Sequence, residues 1–198
     1  MERTTLVAGT SFAVSRRNGD IVPGNHLGAY FRATRFISEW LLSLNGEPFE
    51  ALTVATKLDR AMFVSEPAES ALVVERTRRL GTGLQEGFSI RNSSADMIEC
   101  AIDLRVGADF ATLAEVESGG PRRELDRPAE ATSTGLRIQS EWHSHTRSLE
   151  VLAPDAVVEE NTLHYDLVVP ARGAWATTII ATPKIDDRTL ENYQAPGL

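Results

Sequence analysis

The sequence is poor in cysteine, with Cys100 the only one in 198 residues. A single thiol excludes an intramolecular disulfide, a CxxC redox pair and a thiolate zinc cluster. A reducing cytoplasm is the expected location. Long apolar runs are missing too: no stretch approaches the roughly 20 residues a spanning helix needs. The N-terminal MERTTLVAGTSFAVSRR lacks the apolar core of a secretory signal. No membrane partner is expected. Basic charge is in deficit, 20 Lys plus Arg standing against 28 Asp plus Glu for a formal net charge of -8. Such a chain repels phosphate backbones, so no nucleic-acid partner is expected. Neither a fixed-period repeat nor a low-complexity tract interrupts a composition that is 42% hydrophobic and 24% charged. That composition and length fit one ordinary folded domain with a core of fair size.

What the sequence does carry is strand periodicity. From Ile98 to Phe110 every even position is apolar, while Glu99, Asp103, Arg105 and Asp109 fall on odd ones. Period two over that length predicts a strand with one buried face, and a helix would scatter the same apolar residues around its circumference. Asn45-Gly46, after the apolar stretch Phe36 to Leu44 and before Pro48-Phe49, supplies the two positive φ angles of a type I′ hairpin. Leu72 to Leu80 and Leu84 to Asn92 flank Gly81-Thr82-Gly83, and an apex at Thr82 sets Leu80 opposite Leu84 and Arg78 opposite Glu86. Arg76, Arg78 and Glu86 then share a face with Leu72, Val74, Phe88 and Ile90. An Arg78 to Glu86 cross-strand ion pair is expected to neutralise charge there. Strands are also predicted at Thr10 to Val14, Ile21-Val22, Gly135 to Trp142, Leu163 to Val169 and Trp175 to Thr182. Glu117 to Pro128 reads as a long surface loop. Helical candidates are limited to Glu66 to Val74 and Pro154 to Glu160. The fold class is therefore all-β, a two-sheet β-sandwich over residues 1–183 with a linker-like tail at 184–198.

Constellations that could carry chemistry are weak. Gly81-Thr82-Gly83-Leu84-Gln85-Glu86-Gly87 has its third glycine one position late for a dinucleotide fingerprint and lies between strands, so it reads as a hairpin. His143 and His145 share one strand face, yet neither His26 nor His164 is placed by the sequence as a third metal ligand. Neighbouring carboxylates such as Glu159-Glu160 and Asp186-Asp187 are what an acidic chain contains by chance, and Cys100 falls on a core face as an inert thiol. Trp40 and Trp142 run in phase with core residues, whereas Trp175 follows a turn and its exposure is left open. No catalytic residue, no metal site and no cofactor is assigned.

The order of the blocks resembles one known family, the N-terminal domain of bacterial and archaeal glycogen debranching enzymes of the amylo-α-1,6-glucosidase type. Gly28-Ala29-Tyr30-Phe31-Arg32-Ala33-Thr34-Arg35-Phe36-Ile37-Ser38 resembles that family's GLF-x-x-DTR-F-LS segment, with Leu44-Asn45-Gly46 following. Ile90-Arg91-Asn92 and Ala108-Asp109-Phe110-Ala111 through Glu115-Val116 resemble its L-R-N and ADFADLFEV blocks. Ala33 stands where the family usually has an Asp, Thr112 replaces an acid, Ala114 an aromatic, and Glu117 sits where a basic residue is common. The resemblance implies that an Asp at Ala33 would touch either a following barrel or a loop near the active site, and its absence leaves that contact open. The resemblance implies a galactose-mutarotase-like β-supersandwich that packs on a catalytic (α/α) toroid, which is not found in these 198 residues. It implies a non-catalytic role for this chain beside an α-1,6-glucosidase, with the toroid as partner, glucan as a possible ligand and a homodimer as a possible state. Thr34, Arg35, Asp109 and Glu115 become candidates for domain-interface or sugar-site contacts, or for turns and ion pairs inside the sandwich. A freestanding carbohydrate-binding module and a sugar epimerase with His143, His145 or His164 as proton donors are the alternatives.

Overall fold

The computed structural model describes residues 2–24, 26–67, 70–119, 128–142 and 144–190, with the side chain of Trp142 outside that description. The chain forms β1 (Arg3–Ala8), β2 (Ser11–Arg16), β3 (Gly28–Phe31), β4 (Thr34–Ile37), β5 (Glu39–Leu44), β6 (Glu47–Pro48), β7 (Thr53–Thr56), β8 (Arg60–Ser65) and β9 (Leu72–Leu80). There follow β10 (Leu84–Asn92), β11 (Ile98–Gly107), α1 (Leu113–Glu117), β12 (Glu130–Thr132), β13 (Gly135–Trp142), β14 (His145–Leu152), β15 (Val157–Glu159), β16 (Thr162–Val169), β17 (Ala174–Ile185) and β18 (Arg188–Thr189). The fold is all-β apart from one five-residue helix among the described residues.

Hydrogen bonding draws three antiparallel sheets where the sequence suggests two. Four strands run β1-β2-β3-β4, nine strands β12-β13-β14-β17-β10-β9-β8-β7 with β18 on β17, and five strands β15-β16-β11-β5-β6. The third sheet arises because Phe36 to Leu44 is not one strand: it divides at Ser38, whose N–H donates to the Gly107 carbonyl at 2.8 Å. β4 stays with β3, and β5 passes to β11. Likewise the turn Pro170 to Gly173 carries the chain from the five-stranded to the nine-stranded sheet. One apolar cluster joins all three sheets, with Leu6, Phe36, Trp40, Phe63, Ile90, Leu104 and Leu149 among its buried members.

Local pattern explains most elements. Burial alternates along β11 through Cys100, Ile102, Leu104 and Val106, but the strand ends at Gly107, where Ala108 leaves the ladder and Asp109 turns toward Arg35. The Gly81-Thr82-Gly83 turn pairs Leu80 with Leu84 and Arg78 with Glu86, the register read from the sequence. At the β5–β6 turn Asn45 and Gly46 adopt φ 51° and 82°, as a type I′ turn requires. Residues expected as helix take other forms: Leu72 opens β9, and Pro154 to Glu160 folds as a turn and β15. β17 runs past Pro183 through Ile185, β18 returns along it, and Leu190 is buried. The sheet thus includes residues the sequence assigns to the tail; 191–198 and most of the loop 117–128 lie outside the described residues.

Candidate functional site

Thr34, Arg35, Asp109 and Glu115 are brought together at one end of the four-stranded sheet. Arg35 on β4 donates from Nε to both Asp109 oxygens at 3.1 and 3.0 Å and from Nη2 to Oδ2. Both side chains are 3% exposed. Arg35 Nη1 adds a bond to the Leu27 carbonyl at 3.2 Å, and its N–H binds the Ala111 carbonyl at 2.8 Å. Burial pulls the guanidinium pKa down, but its bonds to Asp109 outweigh that and leave it raised. Thr34 bridges to Thr112, which caps α1: its hydroxyl accepts the Glu115 N–H while Glu115 Oε2 accepts the Thr112 N–H at 2.8 Å. This reciprocal cap satisfies donors that a helix start leaves orphaned. The four residues therefore hold a turn and an ion pair within the domain.

The turn between them is strained. Phe110 sits at φ 52°, a backbone state that bulky residues rarely adopt, and is 1% exposed. Its surroundings fix it: Asp109 Oδ1 accepts the Ala111 N–H, Arg147 Nη1 donates to the Phe110 carbonyl at 2.9 Å, and the Phe36 ring packs edge-on at 5.5 Å. Tyr30 closes the cluster, stacked on Phe12 and donating to the His26 carbonyl at 3.0 Å. Burial pushes its phenol above the ordinary range.

A second buried network lies under the nine-stranded sheet. Arg78 Nε meets Glu86 Oε2 at 2.5 Å, the expected pair, and Arg76 Nε meets Oε1 of the same carboxylate at 2.7 Å. Arg76 Nη1 reaches on to Asp20 at 2.7 Å and to the Asn18 carbonyl at 2.9 Å. The 19–20 turn comes this close because Gly19, at φ 91°, has no side chain: a Cβ there would lie 3.0 Å from Phe63. The guanidiniums sit 5.6 to 5.9 Å from the Phe63 and Phe88 ring centres. Burial alone would raise the Glu86 carboxyl, but the two arginines outweigh it and hold it below the usual range. Asp20 and Asn18 are the members that sequence reading misses, since nothing local links them to a strand 56 residues away.

The remaining candidates stay apart. His164 on β16 binds Asp103 through Nδ1 at 2.6 Å and Asp166 through Nε2 at 3.2 Å, and the bond to Asp103 raises its pKa. His145 pairs with Asp186 at 2.6 Å on another sheet; His143 lies outside the described residues. Among the described residues no group of three or more His, Cys, Asp and Glu could hold a metal. Trp40 is fully buried, and Trp175 packs edge-on against Tyr165 at 5.3 Å, with burial pushing the Tyr165 phenol up to about 12. Cys100 is buried, and that burial raises its thiol pKa. Grooves open on the nine-stranded sheet among the described residues. One, of about 520 Å³, lies at the rim between Val7, Leu58, the Gly81-Thr82-Gly83 turn and Ile180. Another, of about 470 Å³, runs over Met62, Thr77, Gly87 and Thr178.

Residues 6–179 match the family described as the N-terminal domain of (some) glycogen debranching enzymes. The chain belongs to that family. No curated protein matches it in sequence. Among solved structures, a candidate kojibiose phosphorylase from the human microbiome superposes with TM-score 0.58 at 10% identity, covering 96% of this chain and 30% of that one. A candidate aldose 1-epimerase from Escherichia coli K12 gives 0.52 at 10% identity, covering 93% of this chain and 98% of that one. A galactose mutarotase related enzyme from Lactobacillus acidophilus gives 0.54 at 8% identity, covering 98% and 100%. At such identities the likeness is one of fold, an all-β domain related to the mutarotase and epimerase folds. This debranching-enzyme domain spans under a third of the phosphorylase chain it superposes on.

Proposed function

We propose that this domain is a non-catalytic accessory domain of a cytoplasmic glycogen debranching enzyme, with its nine-stranded and five-stranded sheets as the layers of a supersandwich that packs on a catalytic (α/α) toroid and helps shape its glucan site. The observation that carries the reading is the family match over residues 6–179. The state of the buried carboxylates supports it. Asp20, Asp109 and Glu86 are each bound to a buried arginine and line neither groove, so their oxygens are committed inside the domain. His145 and His164, each bound to carboxylates, occupy different sheets and line neither groove. That weighs against an epimerase site. A stacking platform of the kind a carbohydrate-binding module uses would need exposed aromatic rings, and Trp40 and Trp175 serve the interior.

The surface we assign to the toroid is the rim groove. Val7, Leu58 and Ile180 are 38%, 75% and 37% exposed around it, and Leu152, 41% exposed, pairs with Ile180 on the neighbouring strand. Clustered exposed apolar side chains of this kind mark interaction surfaces. Thr34, Arg35, Asp109 and Glu115 enter indirectly, by holding the 108–113 turn in shape. The test is gel filtration of the chain mixed with the separately expressed catalytic domain of a glycogen debranching enzyme. Co-elution that Leu58→Asp abolishes, with unchanged melting of the variant, is the expected result. Separate elution, or co-elution indifferent to Leu58→Asp, contradicts the assignment; pairing of two copies through this face would appear as a dimer of the chain alone.

A further inference from the structure

The second groove crosses the outer face of the nine-stranded sheet, away from the core and from the Arg35 cluster. Its floor is a row set by the strand register: Met62 lies opposite Thr77, Thr77 opposite Gly87, and Gly87 opposite Thr178. Gly87 makes the depression. A Cβ there would come within 2.7 Å of Thr77 Oγ1, so a side chain would fill the space between the two threonines. The adjacent row places Arg60, Arg79 and Gln85 side by side, and Lys57 completes the wall.

Charge at this groove runs against that of the chain as a whole. A protein of net charge -8 here gathers Lys57, Arg60 and Arg79 around about 470 Å³. Asp59 takes Arg60 in a two-point bond at 3.0 and 3.2 Å, but Arg79 only at 3.9 Å. Lys57 is one of two lysines in the sequence, and it makes no ion pair among the described residues, whereas Lys184 is held by Glu150 at 2.5 Å. An ammonium and most of a guanidinium are thus left to face the groove. Beside them stand two hydroxyls and a carboxamide, groups that both donate and accept. The volume falls within the range of small-molecule sites. Cations on one wall and neutral hydrogen-bonding groups on the floor match a ligand with an anionic end and a hydroxylated body.

We infer that this groove binds a hexose phosphate, its phosphate between Lys57 and Arg79 and its hydroxyls over Thr77, Gln85 and Thr178. The sugar half rests on the carbohydrate reading above; the anionic half rests on the charges alone. The test is a titration of the isotopically labelled chain with glucose 6-phosphate, maltose and inorganic phosphate, following the backbone amides of Thr77, Gly87 and Thr178. Expected are saturable shifts at these three amides with glucose 6-phosphate, at least about tenfold weaker for either other ligand, and weakening with added salt. Lys57→Gln and Arg79→Gln should each weaken binding by about tenfold, the loss of one charge-assisted contact. Both side chains are exposed, so melting should not change. Equal shifts with maltose would overturn the anionic half, equal shifts with inorganic phosphate the sugar half, and no shift at these amides the whole. Arg79 and Gln85 also line the rim groove, so the titration uses the free chain, and the toroid assignment keeps its own test in Leu58→Asp, a residue of the rim groove and not of this one.

Discussion

Arg76, Arg78 and Glu86 show how a strand face can bury charge. Two guanidiniums enclose one carboxylate, with Asp20 as the second acid, so the four side chains are formally neutral and each acid has a partner. Breaking such a group costs more than forming it returns, because a survivor is left charged in a dry interior. Glu86→Gln should therefore destabilise the domain by about 3–5 kcal/mol in chemical denaturation. The folded carboxyl titrates below the unfolded one, so its stabilisation is complete above the ordinary carboxylate range and is lost as pH falls through the folded value. The Glu86→Gln variant should lose its disadvantage only in acid. His164 works in the opposite sense. Its bonds to Asp103 and Asp166 raise its folded pKa, so the stabilisation is present below about pH 6.5 and lost as pH rises through the folded value. Melting curves of His164→Gln and the parent should differ at pH 5.5 and converge at pH 8.5.

The elements that sequence periodicity places correctly are those whose determinants are local. The Gly81–Gly83 and Asn45-Gly46 turns fix their registers within a few residues, and the alternation along β11 needs only its own side chains. What stays hidden depends on distant partners: the division at Ser38 needs the Gly107 carbonyl, and Arg35 finds Asp109 across 74 residues. For the same reason the sequence could name Thr34, Arg35, Asp109 and Glu115 without pairing them, and α1 was too short for a periodic signal. The β3–β4 hairpin gives Ala33 a physical meaning. Arg32 and Ala33 form its two-residue turn with φ 48° and 59°, left-handed values that cost an alanine and suit Asn or Asp. The Asp of the related segments would therefore serve the turn itself, without needing a contact beyond the domain. Ala33→Asn should raise stability by about 0.5–1 kcal/mol, read as a higher denaturant midpoint at constant slope.

At the scale of the whole molecule, three sheets close around one apolar cluster, and the groups with chemical potential divide between inside and outside. Inside, Asp20, Glu86 and Asp109 are paired with arginines and Trp40 fills space. Outside, the nine-stranded sheet offers an apolar rim and a cationic groove. That division fits the proposed accessory role, in which the body would offer surfaces to a partner and a ligand and the chemistry would be supplied elsewhere. In the proposed role this chain assists glucan hydrolysis and does not perform it. The most direct test of that role is glucose release from a branched limit dextrin by the purified chain, alone and with the catalytic domain of a glycogen debranching enzyme added in trans. The proposed role requires no release by the chain alone and faster release when it is added to the catalytic domain. Glucose released by the chain alone would contradict it.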